Sequence, residues 1–301
     1  MAQWSFAIVA DIHVFSSGQV PASFATVVAR LTELAPRFVV VAGDATVGNE
    51  DDGVGADKVR LWWRSFQQAL APLRAAGIPV LAIAGNHDYY TAAHRSEYLA
   101  AWPTLGSDFA AVAPLLDGGN PPLCYALDLD GVHLSFIHTV DQKLEPEVAD
   151  WLRRDLEAAA SAGLRLVIGH VPLVSMIGRT SETFKAQLGS LLAQGQVAAY
   201  FSGHEHLVWE QELQFSGGTV RQVHVGTASG TYHYPLNQST CAASCQGDHG
   251  TIPLTGTRFA LRPGTHLQAD KVNVCVVDID GTDFTVRHLS LRAEQLQPFG
   301  E

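Results

Sequence analysis

Side chains that bind divalent cations follow five separate apolar runs in this sequence. The runs end in VADIH, VVAGDAT, AIAGNHD, VIGH and FSGHEH, so each apolar stretch gives way to Asp, Asn or His, often with Gly just before it. The candidate donors are carboxylate or amide oxygens and imidazole nitrogens, and they are Asp11, His13, Asp44, Asn86, His170, His204 and His206. A single tetrahedral zinc takes about four ligands, fewer than this set offers. Mixed oxygen and nitrogen donors suit Mn, Fe, Zn or Co, and a shared carboxylate allows a site for two ions.

The elements that must position these donors alternate between strand and helix through the first two thirds of the chain. Residues 6–10, 38–42 and 78–83 are predicted to be buried strands, and residues 23–34 and 57–76 have the apolar spacing of helices. This order predicts parallel strands joined by right-handed crossovers. Because the carboxyl ends of parallel strands line one crevice, we expect the donors to converge there.

Two pairs of donors, Asp11/His13 and His204/His206, are spaced two residues apart. In an extended backbone this spacing puts both side chains on the same side of the chain. Glycines ahead of several donors supply the tight turns that bring backbone close to a small cluster. One histidine or one Gly-Asp after a strand is usually an ordinary turn residue, but five such strand ends in this order indicate a shared site.

The rest of the chain is predicted to contain hairpins, further buried strands and one clear helix. The predicted elements are an irregular, partly helical section at 91–120, a hairpin at 124–137, a helix at 145–162, strands at 164–168 and 197–201, and mainly β-structure from 207 with a hairpin turn at Asp280-Gly281. No linker or repeat interrupts the pattern, so one domain is expected over residues 1–301. The Gly/Thr/Ser-rich segment 229–266 is the most loop-like stretch and a candidate part of a substrate pocket.

The composition suits a globular protein and argues against two kinds of partner. Hydrophobic residues make up 47% of the 301 positions, and no apolar run approaches the roughly 18 residues that a membrane-spanning helix needs. The net charge is −11 and no Lys/Arg run occurs, so a nucleic-acid duplex is not expected as a partner. No signal peptide is visible, which favours a cytoplasmic location, with a periplasmic or secreted protein lacking its leader as the alternative. The oligomeric state stays open.

The four cysteines do not have the spacing of a zinc ribbon. Cys241 and Cys245 lie in the polar stretch NQSTCAASCQGDHG, where they form either a short-loop disulfide, which indicates an oxidising compartment, or two unrelated thiols. Cys124 and Cys275 are predicted to be small buried hydrophobic residues.

The five strand ends resemble the motif set of the calcineurin-like metallophosphoesterases, which runs D-x-H, GD, GNHD, H and GHxH. The resemblance covers residues 9–206. It implies an α/β fold of four layers, α/β/β/α, in which mixed sheets are flanked by helices. It also implies that Asp11, His13 and His206 hold one metal ion, that Asn86, His170 and His204 hold the other, and that Asp44 bridges the two.

The sequence departs from part of this family after the Gly-Asp motif. Many members carry a second acidic residue there, whereas this chain reads Asp44-Ala45-Thr46-Val47. In purple acid phosphatases a tyrosine ligand lies three residues after that aspartate, where Val47 stands here. The resemblance is therefore closer to the D-x-H bacterial phosphodiesterase-type branch, and an iron–tyrosinate centre is not expected.

The resemblance implies a metal-dependent phosphoric ester hydrolase, a phosphatase or phosphodiesterase, in which a hydroxide bridging two ions attacks a small phosphomonoester or phosphodiester. His87 is the candidate general acid for the leaving group, with a simple hydrogen bond to the phosphate as its alternative role. Asp88 is expected to hold the His87 ring and to stabilise its cation.

Contacts to the rest of the substrate are indicated only by aromatic residues near the motifs. Tyr89, Tyr232 and His233 are candidates for stacking on a base or aryl group, and ordinary packing is the alternative for each. Two further functions are considered: a dedicated cyclic-nucleotide or phospholipid-headgroup phosphodiesterase, and a non-catalytic protein-binding scaffold of the same fold.

Overall fold

Two β-sheets pack face to face in this protein, and helices cover the outer face of each sheet. The computed structural model describes residues 3–48, 53–106, 112–175, 180–229, 245–247, 250–252 and 272–291. Three predictions lie outside these residues: the substrate contacts of Tyr232 and His233, the pairing of Cys241 with Cys245, and the pocket role of most of segment 229–266.

The first sheet has five strands in the order β13-β12-β1-β2-β3. Its strands are β1 (Gln3–Val9), β2 (Val39–Ala42), β3 (Val80–Ile83), β12 (Val272–Asp280) and β13 (Asp283–Leu291). The first three strands run parallel, as predicted, and β12 and β13 add an antiparallel hairpin to the β1 edge.

The second sheet has six strands in the order β4-β5-β6-β7-β9-β8. Its strands are β4 (Cys124–Leu129), β5 (Val132–Ile137), β6 (Leu164–Ile168), β7 (Ala199–Ser202), β8 (Val208–Phe215) and β9 (Gly218–Val225). The four central strands are parallel, while β4 and β8 are antiparallel edges. A separate antiparallel pair is formed by β10 (Cys245–Gly247) and β11 (Gly250–Ile252).

Six α-helices lie in the described part of the chain. They are α1 (Ala22–Leu34), α2 (Ala56–Ala69), α3 (Ala71–Ala75), α4 (Ala92–Gly106), α5 (Pro146–Ala158, continued by a 3₁₀ turn at Ala159–Ser161) and α6 (Glu182–Gln194). No described helix combines the length and hydropathy that a bilayer crossing requires.

Alternation along the strands divides the apolar side chains between three cores. In β1, Phe6 and Ile8 enter the core between the two sheets, whereas Ala7 and Val9 face the helices α1 and α2. Helices α5 and α6 cover the outer face of the second sheet, where Trp151 packs with strand residues. The predicted four-layer α/β/β/α arrangement is confirmed.

Two helical regions differ from the sequence prediction. The helix predicted over 57–76 is broken at Leu70, because Pro72 has no N–H to continue the hydrogen bonding of α2. Helix α6 was not predicted, although its buried Phe184 and Leu188 lie at helical spacing.

Helix α4 lies in the section predicted to be irregular and partly helical, and the sequence did not give its bounds. Its buried positions, His94, Glu97, Tyr98 and Ala101, have helical spacing, but two of them are polar. An apolar pattern is therefore missing from the sequence. Glu97 is buried because it accepts two hydrogen bonds from the Arg60 guanidinium of α2, at 2.9 and 2.6 Å.

Candidate metal centre

The seven predicted donors meet at one edge of the sandwich, at the carboxyl ends of parallel strands. They are supplied by the segments after β1 (Asp11, His13), β2 (Asp44), β3 (Asn86), β6 (His170) and β7 (His204, His206). Three of these strands belong to the first sheet and two to the second, so the cluster spans both sheets. All but Asn86, His204 and His206 are buried, and those three are half-buried.

The backbone at these strand ends is turned sharply, with left-handed φ angles at five of the donors. The angles are 56° at Asp11, 53° at His13, 54° at Asp44, 74° at His204 and 54° at His206. Such conformations are uncommon outside glycine and concentrate at functional sites. The expectation that an extended backbone aligns each i, i+2 pair is therefore wrong, because consecutive turns bring the side chains together instead.

Close packing at two glycines explains why no side chain is tolerated there. A Cβ on Gly85 would lie 2.1 Å from Asp44 Oδ1, and a Cβ on Gly203 would lie 2.7 Å from Asp11 Oδ2. Both distances are far inside van der Waals contact. These glycines let the backbone of one strand end touch the carboxylate of another.

One group of donors contains Asp11, His13 and His206. The Nε2 atoms of His13 and His206 are 3.1 Å apart, and His206 Nε2 is 3.5 Å from Asp11 Oδ1. The Asp11 carboxylate is held in place by the backbone N–H of His204, which lies 3.1 and 3.0 Å from its two oxygens. Two imidazole nitrogens and a carboxylate oxygen that lie this close together form a set that suits one cation.

A second group contains Asn86, His170 and His204. Asn86 Oδ1 lies 2.9 Å from His204 Nδ1 and 3.1 Å from His170 Nε2. The other ring nitrogen of His170 is 2.8 Å from the carbonyl oxygen of Ala42. Since a carbonyl only accepts, Nδ1 of His170 carries the proton and Nε2 is left as the donor atom of the cluster.

Asp44 lies between the two groups. Its Oδ2 is 3.3 Å from His170 Nε2 in one group and 3.9 Å from His13 Nε2 in the other. Its Oδ1 accepts a 2.9 Å hydrogen bond from the backbone N–H of His87, which fixes the carboxylate plane. The same oxygen, Oδ2, is therefore within reach of both donor groups.

The electrostatics of the cluster favour ligand-competent forms at several positions. Burial and the nearby His170 lower the pKa of His204 to about 3, and burial also lowers the pKa of His13 well below its usual value. Burial raises the pKa of Asp44, but the neighbouring histidines His170, His87 and His13 together outweigh it and hold the pKa well below its usual range. Burial lowers the pKa of His170, but Asp44, Asp11 and the Ala42 carbonyl together raise it to about 9, and burial raises the pKa of Asp11.

These directions agree with a site built for cations. Neutral His13 and His204 and an ionised Asp44 are the forms that bind a metal directly, while His170 and Asp11 would release protons on binding. A bound cation would also give these buried donor atoms, which lie close to one another, a partner of opposite charge. The donor set therefore fits divalent or transition metal ions.

His87 lies at the open side of the cluster. Its side chain is 32% exposed, its Nε2 is 3.9 Å from Asp44 Oδ2, and its Nδ1 contacts the carbonyl oxygen of Val47. Because Nδ1–H donates to that carbonyl, Nε2 is the ring atom that can exchange a proton. The Val47 side chain packs against the apolar core between the first sheet and its helices.

Asp88 does not hold the His87 ring, contrary to the sequence expectation. Its buried carboxylate accepts hydrogen bonds from the backbone N–H groups of Ala45, Thr46 and Gly85 at 3.1, 2.9 and 3.1 Å, and from the Thr46 hydroxyl at 2.9 Å. Asp88 therefore joins the loop after β3 to the loop after β2. Burial and the nearby Asp44 raise its pKa to about 6.

The Tyr89 ring packs against two neighbouring side chains. It lies against the His138 ring, with centroids 4.3 Å apart, and beneath the Arg95 guanidinium at 5.6 Å. A substrate contact by Tyr89 stays a prediction.

Several residues that support the donors were not predicted. Thr139 follows β5, and its hydroxyl accepts hydrogen bonds from the backbone N–H groups of His170 and Val171 at 2.9 and 3.1 Å. Glu205, buried between the two histidines of the GHxH motif, accepts a hydrogen bond from the Ser175 hydroxyl. The sequence FIHT after β5 has the same form as the other strand ends and could have directed attention to Thr139.

A sandwich of two mixed sheets with a buried His/Asp/Asn cluster at the carboxyl ends of its strands is typical of metal-dependent hydrolases. The sequence model of the family described as calcineurin-like phosphoesterase matches residues 5–208. Since this match covers more than half of the chain, the protein belongs to the calcineurin-like phosphoesterase family. The prediction made from the motifs is confirmed.

Comparisons with individual proteins agree with this family. The chain is 23% identical over 261 residues to Purple acid phosphatase 23 of Arabidopsis thaliana, a match that covers 79% of this chain and 52% of that protein. The fold is similar to that of the purple acid phosphatase PPD1 from yellow lupin seeds, with a TM-score of 0.66 at 11% identity, covering 99% of this chain and 53% of that one.

A third similar structure is GAP50, described as the anchor in the inner membrane complex of Plasmodium. The TM-score is 0.59 at 17% identity, and the match covers 96% of this chain and 85% of that one. The chain thus spans about half the length of the two purple acid phosphatases. Its assignment to the bacterial phosphodiesterase-type branch stays a prediction.

Proposed function

We propose that this protein is a two-metal phosphoric ester hydrolase. The observation that supports it best is the position of Asp44 Oδ2, which is within 3.9 Å of donor nitrogens in both groups. One ion is assigned to Asp11, His13 and His206, the other to Asn86, His170 and His204, and Asp44 to both. Two bound divalent cations supply neutralisation of the phosphoryl oxygens and a lowered pKa for water at the site.

His87 is assigned the role of general acid, which protonates the leaving group. Its Nδ1–H is occupied by the Val47 carbonyl, so a proton destined for the departing alkoxide leaves from Nε2 of the cationic ring. The 32% exposure of the side chain gives a substrate access to this atom. A neutral ring with a free Nε2 cannot serve as the acid, so turnover should require His87 in its cationic form.

Asp88 is assigned a positioning role in place of the predicted contact with His87. Four donors converge on its carboxylate, and they tie the backbone next to Asp44 to the backbone next to Asn86. The separation of these two metal-binding residues is thereby fixed by hydrogen bonds that an ionised acceptor strengthens.

The substrate class follows from charge as well as from the site. With a net charge of −11 a nucleic-acid duplex is disfavoured, and a small phosphomonoester or phosphodiester is proposed instead. A dedicated cyclic-nucleotide or phospholipid-headgroup phosphodiesterase is the narrower alternative. The single-domain organisation over 1–301, the pocket role of segment 229–266 and a cytoplasmic location remain part of this proposal.

A non-catalytic scaffold is the second candidate function. The similarity to GAP50, an anchor protein, supports it, because the match covers most of both chains. Against it stands the complete set of donors together with an accessible His87. A scaffold has no need for five donor residues with left-handed φ angles, at three strand ends, whose polar side chains point at one another.

Metal analysis combined with turnover of paired aryl substrates distinguishes these functions. Purified protein should contain two equivalents of a transition or divalent metal and hydrolyse an aryl phosphomonoester, the matching diester, or both. The ratio of the hydrolysis rates for the monoester and the diester distinguishes a phosphatase from a phosphodiesterase. Absence of both bound metal and turnover would favour the scaffold and contradict the hydrolase.

A further inference from the structure

One ligand of the proposed metal site, Asn86, has a side-chain amide that can point either of its two ends at the cation. The side-chain oxygen and nitrogen of Asn86 have nearly the same size, but only the oxygen can bind a cation. Asn86 Oδ1 faces His204 Nδ1 at 2.9 Å and His170 Nε2 at 3.1 Å. A flipped amide would direct an NH₂ group at these two histidines and leave the cation without this ligand.

The opposite end of the amide is held by a tyrosine. Asn86 Nδ2 donates a 2.8 Å hydrogen bond to the hydroxyl oxygen of Tyr90. With Oδ1 pointing into the cluster, the amide N–H points at the Tyr90 hydroxyl oxygen, which accepts it, so this contact supports the orientation that a cation needs.

The loop after β3 brings this tyrosine back over the site. The backbone N–H of Tyr89 donates to the carbonyl oxygen of Asn86 at 3.0 Å, which closes a turn across His87 and Asp88. The turn places the Tyr90 ring 4.8 Å from the His87 ring, centroid to centroid. The local backbone turn therefore places Tyr90 next to both Asn86 and His87.

We propose that Tyr90 is a positioning residue that orients Asn86 as a metal ligand. This inference rests on the metal assignment proposed above, and it concerns only the ion assigned to Asn86, His170 and His204. Loss of a hydrogen bond to a ligand side chain typically costs about 10–100-fold in metal affinity or activity. The ion on the other side of Asp44 should be unaffected.

The experiment is a metal titration of the metal-free protein, with Mn²⁺ as the probe, for wild type and Tyr90→Phe. The phenylalanine keeps the ring that packs on His87 and removes only the hydroxyl. We expect one of the two Mn²⁺ ions to bind roughly tenfold or more weakly and the other to bind with unchanged affinity.

Tyr89→Phe is the matched control, because the neighbouring ring packs on His138 and no hydrogen bond joins its hydroxyl to Asn86 in the described structure. Its two Mn²⁺ affinities should equal those of wild type.

A double mutant tests whether Tyr90 acts through Asn86. In an Asn86→Ala background, Tyr90→Phe should cause no further loss of Mn²⁺ affinity. An equal loss in both backgrounds, unchanged affinity for both ions in Tyr90→Phe, or equal weakening of both ions would each overturn the inference while leaving the hydrolase proposal intact. Failure of the wild-type protein to bind Mn²⁺ would instead remove the metal assignment on which both depend.

Discussion

Replacement of Gly85 by alanine is predicted to disable the centre while leaving the fold intact. The added Cβ would lie 2.1 Å from Asp44 Oδ1, 2.6 Å from the Asp44 backbone nitrogen and 2.7 Å from His170 Nε2. Ordinary contact begins at 3.4 Å, so the carboxylate or the backbone must move by about 1.3 Å to relieve the closest contact. Over-packing of this kind costs about 1–3 kcal/mol of stability. A misplacement of ~1 Å at a reacting site costs on the order of 100-fold in rate.

The test compares Gly85→Ala with Gly55→Ala. A Cβ on Gly55 meets nothing within 4 Å, and Gly55 is the residue before α2 with an ordinary φ of −73°, so this control should change stability only slightly. Urea denaturation in EDTA measures the folding cost, and Mn²⁺ titration and aryl phosphate turnover measure the site. If Gly85→Ala matched the control in Mn²⁺ affinity and turnover, the close contact between the β3 end and Asp44 would be wrong.

The remaining predictions concern His87, Asp44 and His133. His87→Ala should keep both metal ions and lose about 10²–10⁴-fold in turnover, most severely for esters with poor leaving groups. An equal loss for good and poor leaving groups would contradict the role of general acid and indicate a hydrogen bond to the phosphate instead. Asp44→Asn should bind less metal than wild type, as measured by elemental mass spectrometry. Full retention of metal would contradict the assignment of Asp44 to both ions. His133 is buried between Asp155 and Asp128, with ring nitrogens 2.9 and 2.7 Å from their carboxylates. Burial lowers the pKa of His133 but these two partners outweigh it and raise the pKa above the usual value of about 6.5. Its folded-state pKa is the higher one, so its stabilising contribution is complete below about pH 6.5 and is lost as the pH rises through the folded value. The stability difference between wild type and His133→Gln should therefore shrink between pH 6 and pH 8.5 in urea denaturation, and an unchanged difference would contradict the assignment.

The strand ends could be predicted from the sequence because two independent signals coincide there. An apolar run such as residues 78–83 marks a buried strand, and the polar residues directly after it, Asn86 and His87, have no place in a core. Parallel strands then require that such residues share an edge. This reasoning needs no detailed geometry, and it located all seven donors.

The turns that unite the donors could not be predicted, because they depend on contacts between distant segments. Asp11 adopts φ 56° where its carboxylate meets the backbone N–H of His204, which is 193 positions further along the chain. The partners of Asp88 lie on another loop for the same reason. Sequence spacing suggested its neighbour His87 instead, since adjacent residues are the only ones whose proximity the sequence guarantees.

The bounds of helix α4, within the section predicted to be partly helical, could not be predicted for a different physical reason. Its buried face carries His94 and Glu97, which are satisfied by Thr91 and Arg60 rather than by apolar neighbours. Periodicity of hydrophobic residues cannot detect a face that is buried through hydrogen bonds and ion pairs.

Anomalous diffraction from crystals of the protein grown with Mn²⁺ would show directly whether two cations bind at this edge of the sandwich. We expect two peaks, one among Asp11, His13 and His206 and one among Asn86, His170 and His204, with Asp44 in contact with both. An absence of peaks at this edge of the sandwich, or one peak that Asp44 does not touch, would contradict the two-metal assignment.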